Sequence, residues 1–246
     1  MKLKIVRREE QADGQFNGGA VLEKRPVMYQ GKNISPYSNL FYWAHAWSEK
    51  GSTIGLHPHQ GFEIMSFVLK GSIQHYDTKN KNWIPLNEGS VQIIRAGNGI
   101  SHAEKLNPGS SIFQIWFDPN LDQSLRKPAT YDDYAPEAFP EEKKNGVSIR
   151  TIKGEDAPIK MDTEGIVIKE LRLQKGKHDL PIPEGKILSS FLLKGSLHVE
   201  NEKLKAEDFF TAQEGDVIHL NAEEDSWLFI IESPVKPSYA TYASTM

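Results

Sequence analysis

Two histidines, His57 and His59, are separated by a single proline in the stretch Gly51–Gly71, just before a run of β-prone residues. In an extended strand, residues i and i+2 project to the same face, so both imidazoles can reach one metal ion. Pro58 has no N–H to donate, which predicts that the pair lies at a strand start, a sheet edge or a bulge. The chain has eight histidines among 246 residues, so one such pair can arise by chance, and a metal site needs further ligands.

A second pair of metal-ligating residue types, His102 and Glu104, has the same spacing and follows the glycine-rich turn RAGNGIS. If both strands line one barrel interior, three imidazoles and one carboxylate converge there. This donor set suits iron(II), and also nickel, cobalt, copper, manganese or zinc. Four protein ligands on an octahedral ion leave about two positions for a substrate oxygen and dioxygen. A structural zinc site would instead have four closed ligands, often including cysteine.

The composition restricts the classes of function. The formal net charge is −4, whereas nucleic-acid binding requires a basic patch, so we expect no direct nucleic-acid partner. The absence of cysteine excludes disulfides, zinc–thiolate sites, iron–sulfur clusters and cysteine nucleophiles. The N-terminus turns polar within a few residues, and no apolar run reaches the roughly 18 residues that span a bilayer. We therefore expect a soluble, cytoplasmic protein without membrane association.

Short β-prone segments separated by turn residues run along the chain, a pattern typical of β-sandwiches and barrels. The clearest predicted strands are Glu63–Leu69, Ser72–Asp77, Ser90–Arg95, Ile100–Leu106 and Ser111–Phe117. The stretch from Asp118 to about Asn145 is rich in proline and acids and has few aliphatic residues, which predicts a connector over the surface.

An internal repeat divides the chain. The hexapeptide FVLKGS at Phe67–Ser72 recurs as FLLKGS at Phe191–Ser196, and EGSV at Glu88–Val91 recurs as EGDV at Glu214–Val217. Two matches in the same order and at nearly the same spacing predict two copies of one β-barrel unit. The alternative is that turns of this kind recur in any β-protein, because Gly-Ser is favoured after a strand. We assign residues 1–135 to an N-terminal domain and residues 136–246 to a C-terminal domain.

The repeat predicts that only the first copy carries metal chemistry. By the spacing of the two matches, the counterparts of the four candidate ligands are Pro181 for His57, Pro183 for His59, Leu228 for His102 and Ile230 for Glu104. None of these counterparts can bind a metal ion through its side chain. The C-terminal domain is therefore expected to be a degenerate copy without metal ligands.

Two longer motifs connect these residues with a known family. The patterns Gly51-x5-His57-x-His59-x3-Glu63 and Gly89-x5-Arg95-x-Gly97-x4-His102 resemble the two motifs of the cupin superfamily. The strings HPHQGFE, AGNGISHAE and FQIWF resemble the pirin family. The resemblance implies an all-β bicupin with two tandem jelly-roll barrels. It also implies a metal bound by His57, His59, His102 and Glu104, and a C-terminal cupin that has lost its metal.

Further residues have roles around this site or in the core. Glu63 follows a shorter gap than the glutamate ligand of many cupins, so we expect it next to the ligands or in a structural role. His75 either orients a ligand or is a core or solvent-facing histidine. Phe41, Trp43 and Phe113 are candidates for the lining of the pocket. Aromatic residues of this kind are mostly core residues, and one or two of them can form an apolar wall for a planar substrate.

The resemblance implies a function. Bacterial pirins are similar to quercetin 2,3-dioxygenases, which would make this protein a metal-dependent oxidoreductase acting on a flavonol-type aromatic substrate with dioxygen. Glu104 would then be both ligand and catalytic base, and iron(II) is the metal we favour. The alternative is a metal- or redox-sensing module that binds a metabolic enzyme or a transcription factor without catalysis. An inert storage-type bicupin is a third hypothesis, which the set of four candidate ligands disfavours.

Overall fold

The computed structural model describes residues 1–28, 34–241 and residue 244. Its strands, in chain order, are β1 (Lys2–Val6), β2 (Ala12–Phe16), β3 (Val21–Val27), β4 (Leu40–Ser48), β5 (Ser52–His59), β6 (Glu63–Lys70), β7 (Ser72–Asp77), β8 (Ile84–Asn87), β9 (Val91–Arg95), β10 (Ile100–Leu106), β11 (Ser110–Phe117), β12 (Thr130–Tyr134), β13 (Glu141–Lys144), β14 (Val147–Lys153), β15 (Val167–Leu173), β16 (Gly176–Pro181), β17 (Lys186–Lys194), β18 (Ser196–Val199), β19 (Glu202–Lys205), β20 (Phe209–Gln213), β21 (Val217–Ala222) and β22 (Ser226–Pro234). One short helix, α1 (Leu121–Ser124), and 3₁₀ turns at Arg8–Glu10, Asn17–Gly19 and Pro136–Ala138 complete the described elements. No helix in the described part of the chain is long and apolar enough to cross a bilayer.

The described chain divides into two compact units, and the all-β bicupin fold is confirmed. We call the unit formed by Gln11–Ala138, Met161–Thr163 and the residues from Ser238 onward the N-terminal barrel. We call the unit formed by Met1–Glu10, Phe139–Lys160 and Glu164–Pro237 the C-terminal barrel. The first strand, β1, pairs with β20 of the C-terminal barrel. The domain boundary between residues 135 and 136 stays a prediction.

The described residues of the N-terminal barrel form two antiparallel sheets. The larger has the order β12-β9-β6-β11-β4-β3-β2, and the smaller has the order β5-β10-β7-β8. The strands in the middle of the larger sheet are mostly buried, as in EIMSFVLK of β6, where six of eight residues are buried. An apolar cluster between the sheets consists of Val21, Ala46, Ile54, Val68, Ile73, Leu86, Leu106 and Ile112. The smaller sheet positions the candidate metal ligands, because β5 and β10 are neighbours within it.

The described residues of the C-terminal barrel repeat this arrangement. The larger sheet has the order β1-β20-β17-β22-β15-β14-β13, and the smaller has the order β16-β21-β18-β19. The two copies of the repeated hexapeptide occupy equivalent turns, from β6 to β7 and from β17 to β18. Both glycines have positive φ, +72° at Gly71 and +92° at Gly195, which non-glycine residues rarely adopt. This backbone requirement explains why the hexapeptide is the part of the repeat that remains visible in the sequence.

The second sequence match, EGSV with EGDV, is wrong as a structural equivalence. The N–H of Gly89 donates to Val68 O, and the equivalent bond in the C-terminal barrel runs from Glu207 N to Leu192 O. Gly89 is therefore equivalent to Glu207, which also has positive φ, +73°. A glutamate at this position hides the equivalence in the sequence, and the similar tetrapeptide lies before β21 instead.

The strand registers therefore give corrected counterparts for the candidate ligands. His102 pairs with His57 as Ile218 pairs with Leu180. The pair of Glu104 with His75 corresponds to that of Leu220 with Val199. His59, two residues after His57, corresponds to Ile182. The prediction of Pro181, Pro183, Leu228 and Ile230 was wrong in detail because the connections between strands differ in length between the two copies.

The counterparts are all apolar and form part of a hydrophobic core. Ile182, Val199, Ile218 and Leu220 belong to one buried cluster, against which Leu180 packs. Burying aliphatic side chains is favourable, at roughly 25 cal/mol per Å² of apolar surface. The interior of the C-terminal barrel is thus packed as an apolar core at the positions where the N-terminal barrel has imidazoles and a carboxylate.

Candidate metal centre

Three imidazoles converge at the end of the smaller sheet of the N-terminal barrel. His57 on the edge strand β5 lies opposite His102 on β10, and His59 lies two residues further along β5. One ring nitrogen from each of the three histidines lies within 4.8 Å of the other two. The ring centroids are 4.5 Å apart for His57 and His102 and 4.9 Å apart for His59 and His102. One divalent ion could contact all three rings.

Hydrogen bonding leaves the nitrogens of these rings available for an ion. The Nδ1–H of His57 donates to Gly55 O at 2.8 Å, which fixes the tautomer and leaves Nε2 with its lone pair. Nε2 of His59 and both ring nitrogens of His102 are buried and have no hydrogen-bond partner among the described residues. Buried polar atoms are nearly always paired. The donor set and its unpaired nitrogens therefore fit a transition metal ion.

The protonation state of two of the rings also fits. Burial, together with the neighbouring imidazoles, lowers the pKa of His59 to about 3. Burial and the same kind of neighbours lower the pKa of His102 to about 3. Both rings are therefore neutral near pH 7, the form in which imidazole binds metals.

These pKa shifts predict an acid-sensitive metal-free protein. An imidazole in the unfolded chain titrates near 6.5, so between about pH 6.5 and pH 3 the unfolded state binds protons that folded His59 and His102 do not. Stability therefore decreases as the pH falls through this window. We expect a lower melting temperature for the metal-free protein at pH 5 than at pH 7.5. The melting temperature of the His102→Ile variant should fall less between pH 7.5 and pH 5. An equal fall in both proteins would contradict the assignment of the acid sensitivity to the buried neutral imidazoles.

Glu104 lies on the same strand as His102 and is fully buried, but it is outside the group of three histidines. A register shift separates the two residues along β10. One oxygen of Glu104 accepts a hydrogen bond from Ser66 Oγ at 2.8 Å, and the other accepts one from Gln114 Nε2. Each of these oxygens retains capacity for another contact, which is compatible with binding a metal ion. The ligand and base roles of Glu104 stay predictions.

His75 is completely buried and lies behind the histidine group. Its Nδ1 is 3.0 Å from Gln92 Nε2 and its Nε2 is 3.0 Å from Asp77 Oδ2. Gln92 donates to Nδ1, so the neutral ring donates its Nε2–H to Asp77. Burial lowers the pKa of His75, although Glu104 and Asp77 oppose this. The ring also stacks on Tyr131, with centroids 4.5 Å apart, and its centroid is 5.6 Å from that of His102.

The carboxylate of Glu63 forms its hydrogen bonds away from the histidine group. It accepts hydrogen bonds from Asp162 N at 2.7 Å, from Thr163 N at 2.8 Å and from the Thr163 hydroxyl. Burial raises the pKa of Glu63, and these hydrogen bonds oppose the shift. The carboxylate thus attaches the segment Met161–Thr163 to the start of β6, and all of its described hydrogen bonds go to this segment.

The predicted aromatic residues lie at different distances from the histidines. Trp43 and Phe113 are fully buried and contact each other edge to face, with centroids 5.4 Å apart. Phe41 packs against Phe62 and Trp116. Trp116 reaches the histidines, because its ring centroid lies 5.1 Å from that of His59.

Three polar residues of the site were missed from the sequence: Ser66, Gln92 and Gln114. Each interrupts an otherwise apolar strand, in EIMSFVLK, VQIIR and SSIFQIWF. A polar residue in the middle of a buried strand is itself a signal, since it must find a partner. The sequence does not reveal which residue on the facing sheet is that partner.

Comparisons with known proteins cover the part of the chain that contains the histidines. The family model described as Pirin matches residues 23–117, which include all three histidines. The pirin of Rattus norvegicus is 28% identical over 179 residues, covering 68% of this chain and 61% of that protein. A putative quercetin 2,3-dioxygenase of Zymomonas mobilis is 30% identical over 191 residues, covering 74% of this chain and 77% of that protein.

A solved structure shows the same fold. It is that of a bacterial pirin from Escherichia coli in complex with nickel(II), with a TM-score of 0.78 at 20% identity. The alignment covers 95% of this chain and 99% of the bacterial pirin. In that relative, a protein of this fold binds a divalent transition metal.

Proposed function

The chain belongs to the pirin family, and from this premise we propose that it is a metal-dependent dioxygenase acting on flavonol-type, quercetin-like substrates with dioxygen. The observation that carries the proposal is the group of three neutral or tautomerically fixed imidazoles, which each have one ring nitrogen within 4.8 Å of the other two. The name of the Zymomonas mobilis relative supports the reaction and the substrate class.

We propose that His57, His59 and His102 hold the metal and that Glu104 completes the set. Nitrogen donors with one carboxylate suit iron(II), which we favour, and also nickel, cobalt, copper, manganese or zinc. When bound, the metal supplies Lewis acidity toward a substrate oxygen and a site for dioxygen chemistry. We assign this chemistry to the N-terminal domain, because the C-terminal barrel has aliphatic residues at the equivalent positions.

The protein's own groups provide proton transfer and shape. In this proposal the Glu104 carboxylate accepts the proton of the substrate hydroxyl as general base, while Ser66 and Gln114 hold it in place. The indole of Trp116, beside His59 and nearly parallel to Phe62, forms a planar apolar wall suited to aromatic rings. Such a wall also keeps water away from a reactive intermediate.

The histidine group is partly accessible to solvent from the edge strand β5. His57 and His59 are only partly buried. In this proposal a substrate approaches the metal from that side. Partly exposed histidines beside a buried carboxylate are the arrangement expected of a metal site that is open to a substrate, rather than of a closed structural metal site.

The proposal is tested by oxygen uptake. Protein loaded separately with iron(II), nickel(II), cobalt(II), copper(II) and manganese(II) is mixed with a flavonol panel including quercetin, and dioxygen consumption and carbon monoxide release are recorded. We expect uptake and release in equal amounts with at least one metal. Fully loaded protein that consumes no dioxygen with any flavonol would overturn the proposal. Metal-dependent capture of one protein partner in that case would favour the sensing module.

A further inference from the structure

Three buried polar side chains form a row across the larger sheet of the N-terminal barrel. Ser66 on β6 pairs in register with Gln92 on β9 and with Gln114 on β11. Ser66 and Gln92 are fully buried, and Gln114 is 9% exposed. A row of amides and hydroxyls in an apolar sheet is costly unless each group finds a partner. All three side chains therefore need hydrogen-bond partners.

The partners lie on the facing sheet, beside the histidine group. Gln92 bonds to His75, while Ser66 and Gln114 both donate to Glu104, one to each oxygen. Among the described residues, no lysine or arginine forms an ion pair with Glu104. A buried carboxylate without a cation depends on hydrogen-bond donors, so these two neutral donors are its main support within the described chain.

The orientation of the Gln114 amide is set by a third residue. The indole N–H of Trp116 donates to Gln114 Oε1 at 3.2 Å. With Oε1 turned toward the indole, the NH₂ group of Gln114 faces Glu104. Trp116 in turn contacts His59. A chain of contacts therefore runs from the wall of the site through Gln114 to the carboxylate.

The C-terminal barrel provides an internal comparison. Ser190 pairs with Phe210 and Ile230 as Ser66 pairs with Gln92 and Gln114, so Ile230 is the counterpart of Gln114. Both Gln114 and Glu104 are thus replaced by aliphatic residues in the barrel without ligands. The serine remains, and the buried hydroxyl of Ser190 has no hydrogen-bond partner among the described residues. The glutamine is absent where the carboxylate is absent, which separates its role from a general requirement of the fold.

We infer that Gln114 is a positioning residue for Glu104, with its amide oriented by Trp116, and that it acts on the metal group through that carboxylate. The inference rests on the part of the proposed function that assigns Glu104 to the metal, and it does not depend on the substrate. Glutamine is suited to this role because it can accept from the indole and donate to the carboxylate at the same time.

The test is a double-mutant cycle on cobalt(II) binding by the full chain, read from the visible spectrum and from competition with a chelator. Gln114→Leu keeps the size of the side chain and removes its donor. We expect a loss of cobalt affinity of about 10- to 100-fold, the usual effect of removing a hydrogen bond to a ligand, with a changed spectrum. In the Glu104→Gln background, Gln114→Leu should have no further effect.

Two further variants separate positioning from folding. Trp116→Phe keeps an aromatic ring and leaves Gln114 in place, and it should change the cobalt spectrum in the same direction with a smaller loss of affinity. Gln123→Leu is the same substitution at an exposed position, and it should leave the cobalt affinity and the cobalt spectrum unchanged. The inference is overturned if Gln114→Leu binds cobalt with wild-type affinity and spectrum, or if its effect adds fully to that of Glu104→Gln. A coupled cycle in a protein inactive on flavonols would support the positioning role and reject only the dioxygenase.

Discussion

Replacing His102 by isoleucine is expected to abolish metal binding at the histidine group and to raise the melting temperature of the metal-free protein. His102 is fully buried, and its two ring nitrogens have no hydrogen-bond partner among the described residues. Its counterpart in the C-terminal barrel is Ile218, a member of the apolar core. The substitution therefore gives this position of the N-terminal barrel the residue that the C-terminal barrel has at the equivalent position.

The size of the effect follows from the cost of an unpaired polar group. Burying such a group without a partner costs about 1–3 kcal/mol, and each kcal/mol changes the melting temperature of a chain of this size by roughly 2–4 °C. Calorimetry of the chelator-treated proteins measures the gain, and equilibrium dialysis measures the loss of cobalt(II). A variant that still binds cobalt with wild-type affinity, or that melts below the metal-free wild type, would contradict the account.

The reverse substitution is the matched control. Ile218→His places an imidazole in the apolar core of the C-terminal barrel, where its neighbours Leu180, Ile182 and Leu220 offer no second ligand. We expect a lower melting temperature and no additional bound metal. Together the two variants test whether the imidazoles are kept for binding at the expense of stability.

Replacing Glu63 by leucine is expected to lower the free energy of unfolding by about 3 kcal/mol, because buried donors would lose their acceptor. The N–H and hydroxyl of Thr163 both donate to this carboxylate, and Thr163 is 3% exposed. Urea unfolding measures the change. Hydrogen exchange at the amide of Thr163 should become faster in the same variant.

Thr163→Val is the control for this prediction, since it removes one donor and keeps the shape of the side chain. We expect a smaller loss, about 1 kcal/mol. Cobalt affinity, measured on folded protein, should remain within a few-fold of the wild type in both variants, because the described hydrogen bonds of Glu63 do not reach the histidines. An unchanged unfolding free energy in Glu63→Leu, or a large loss of cobalt affinity, would show that the carboxylate has another role.

Local geometry explains what could be predicted from the sequence. His57 and His59, with their spacing of two, had to share a face once a strand was assigned, and Pro58 indicated the sheet edge that β5 occupies. The hexapeptide repeat was recognisable because Gly71 and Gly195 both have positive φ. Strand assignments from Glu63 to Phe117 were close to the observed β6, β7, β9, β10 and β11 for the same reason: alternation and turn residues are local signals.

Non-local pairing explains what could not be predicted. The equivalence of Gly89 with Glu207 depends on a backbone hydrogen bond to another strand, and residue type does not reveal it. The partner of Glu63 is the segment Met161–Thr163, about a hundred residues away in the chain, within a stretch without a motif. The hydrogen bonds of Ser66 and Gln114 to Glu104 cross between two sheets, so they depend on how the sheets pack.

Anomalous diffraction from crystals of the cobalt(II)-loaded chain tests the central claim most directly. The account predicts one strong peak per chain in the N-terminal barrel, about 2.1 Å from a ring nitrogen of each of His57, His59 and His102. It predicts no peak among Leu180, Ile182, Ile218 and Leu220 in the C-terminal barrel. A peak confined to surface groups such as His219 with Asp179, or density for cobalt in the C-terminal barrel, would contradict it.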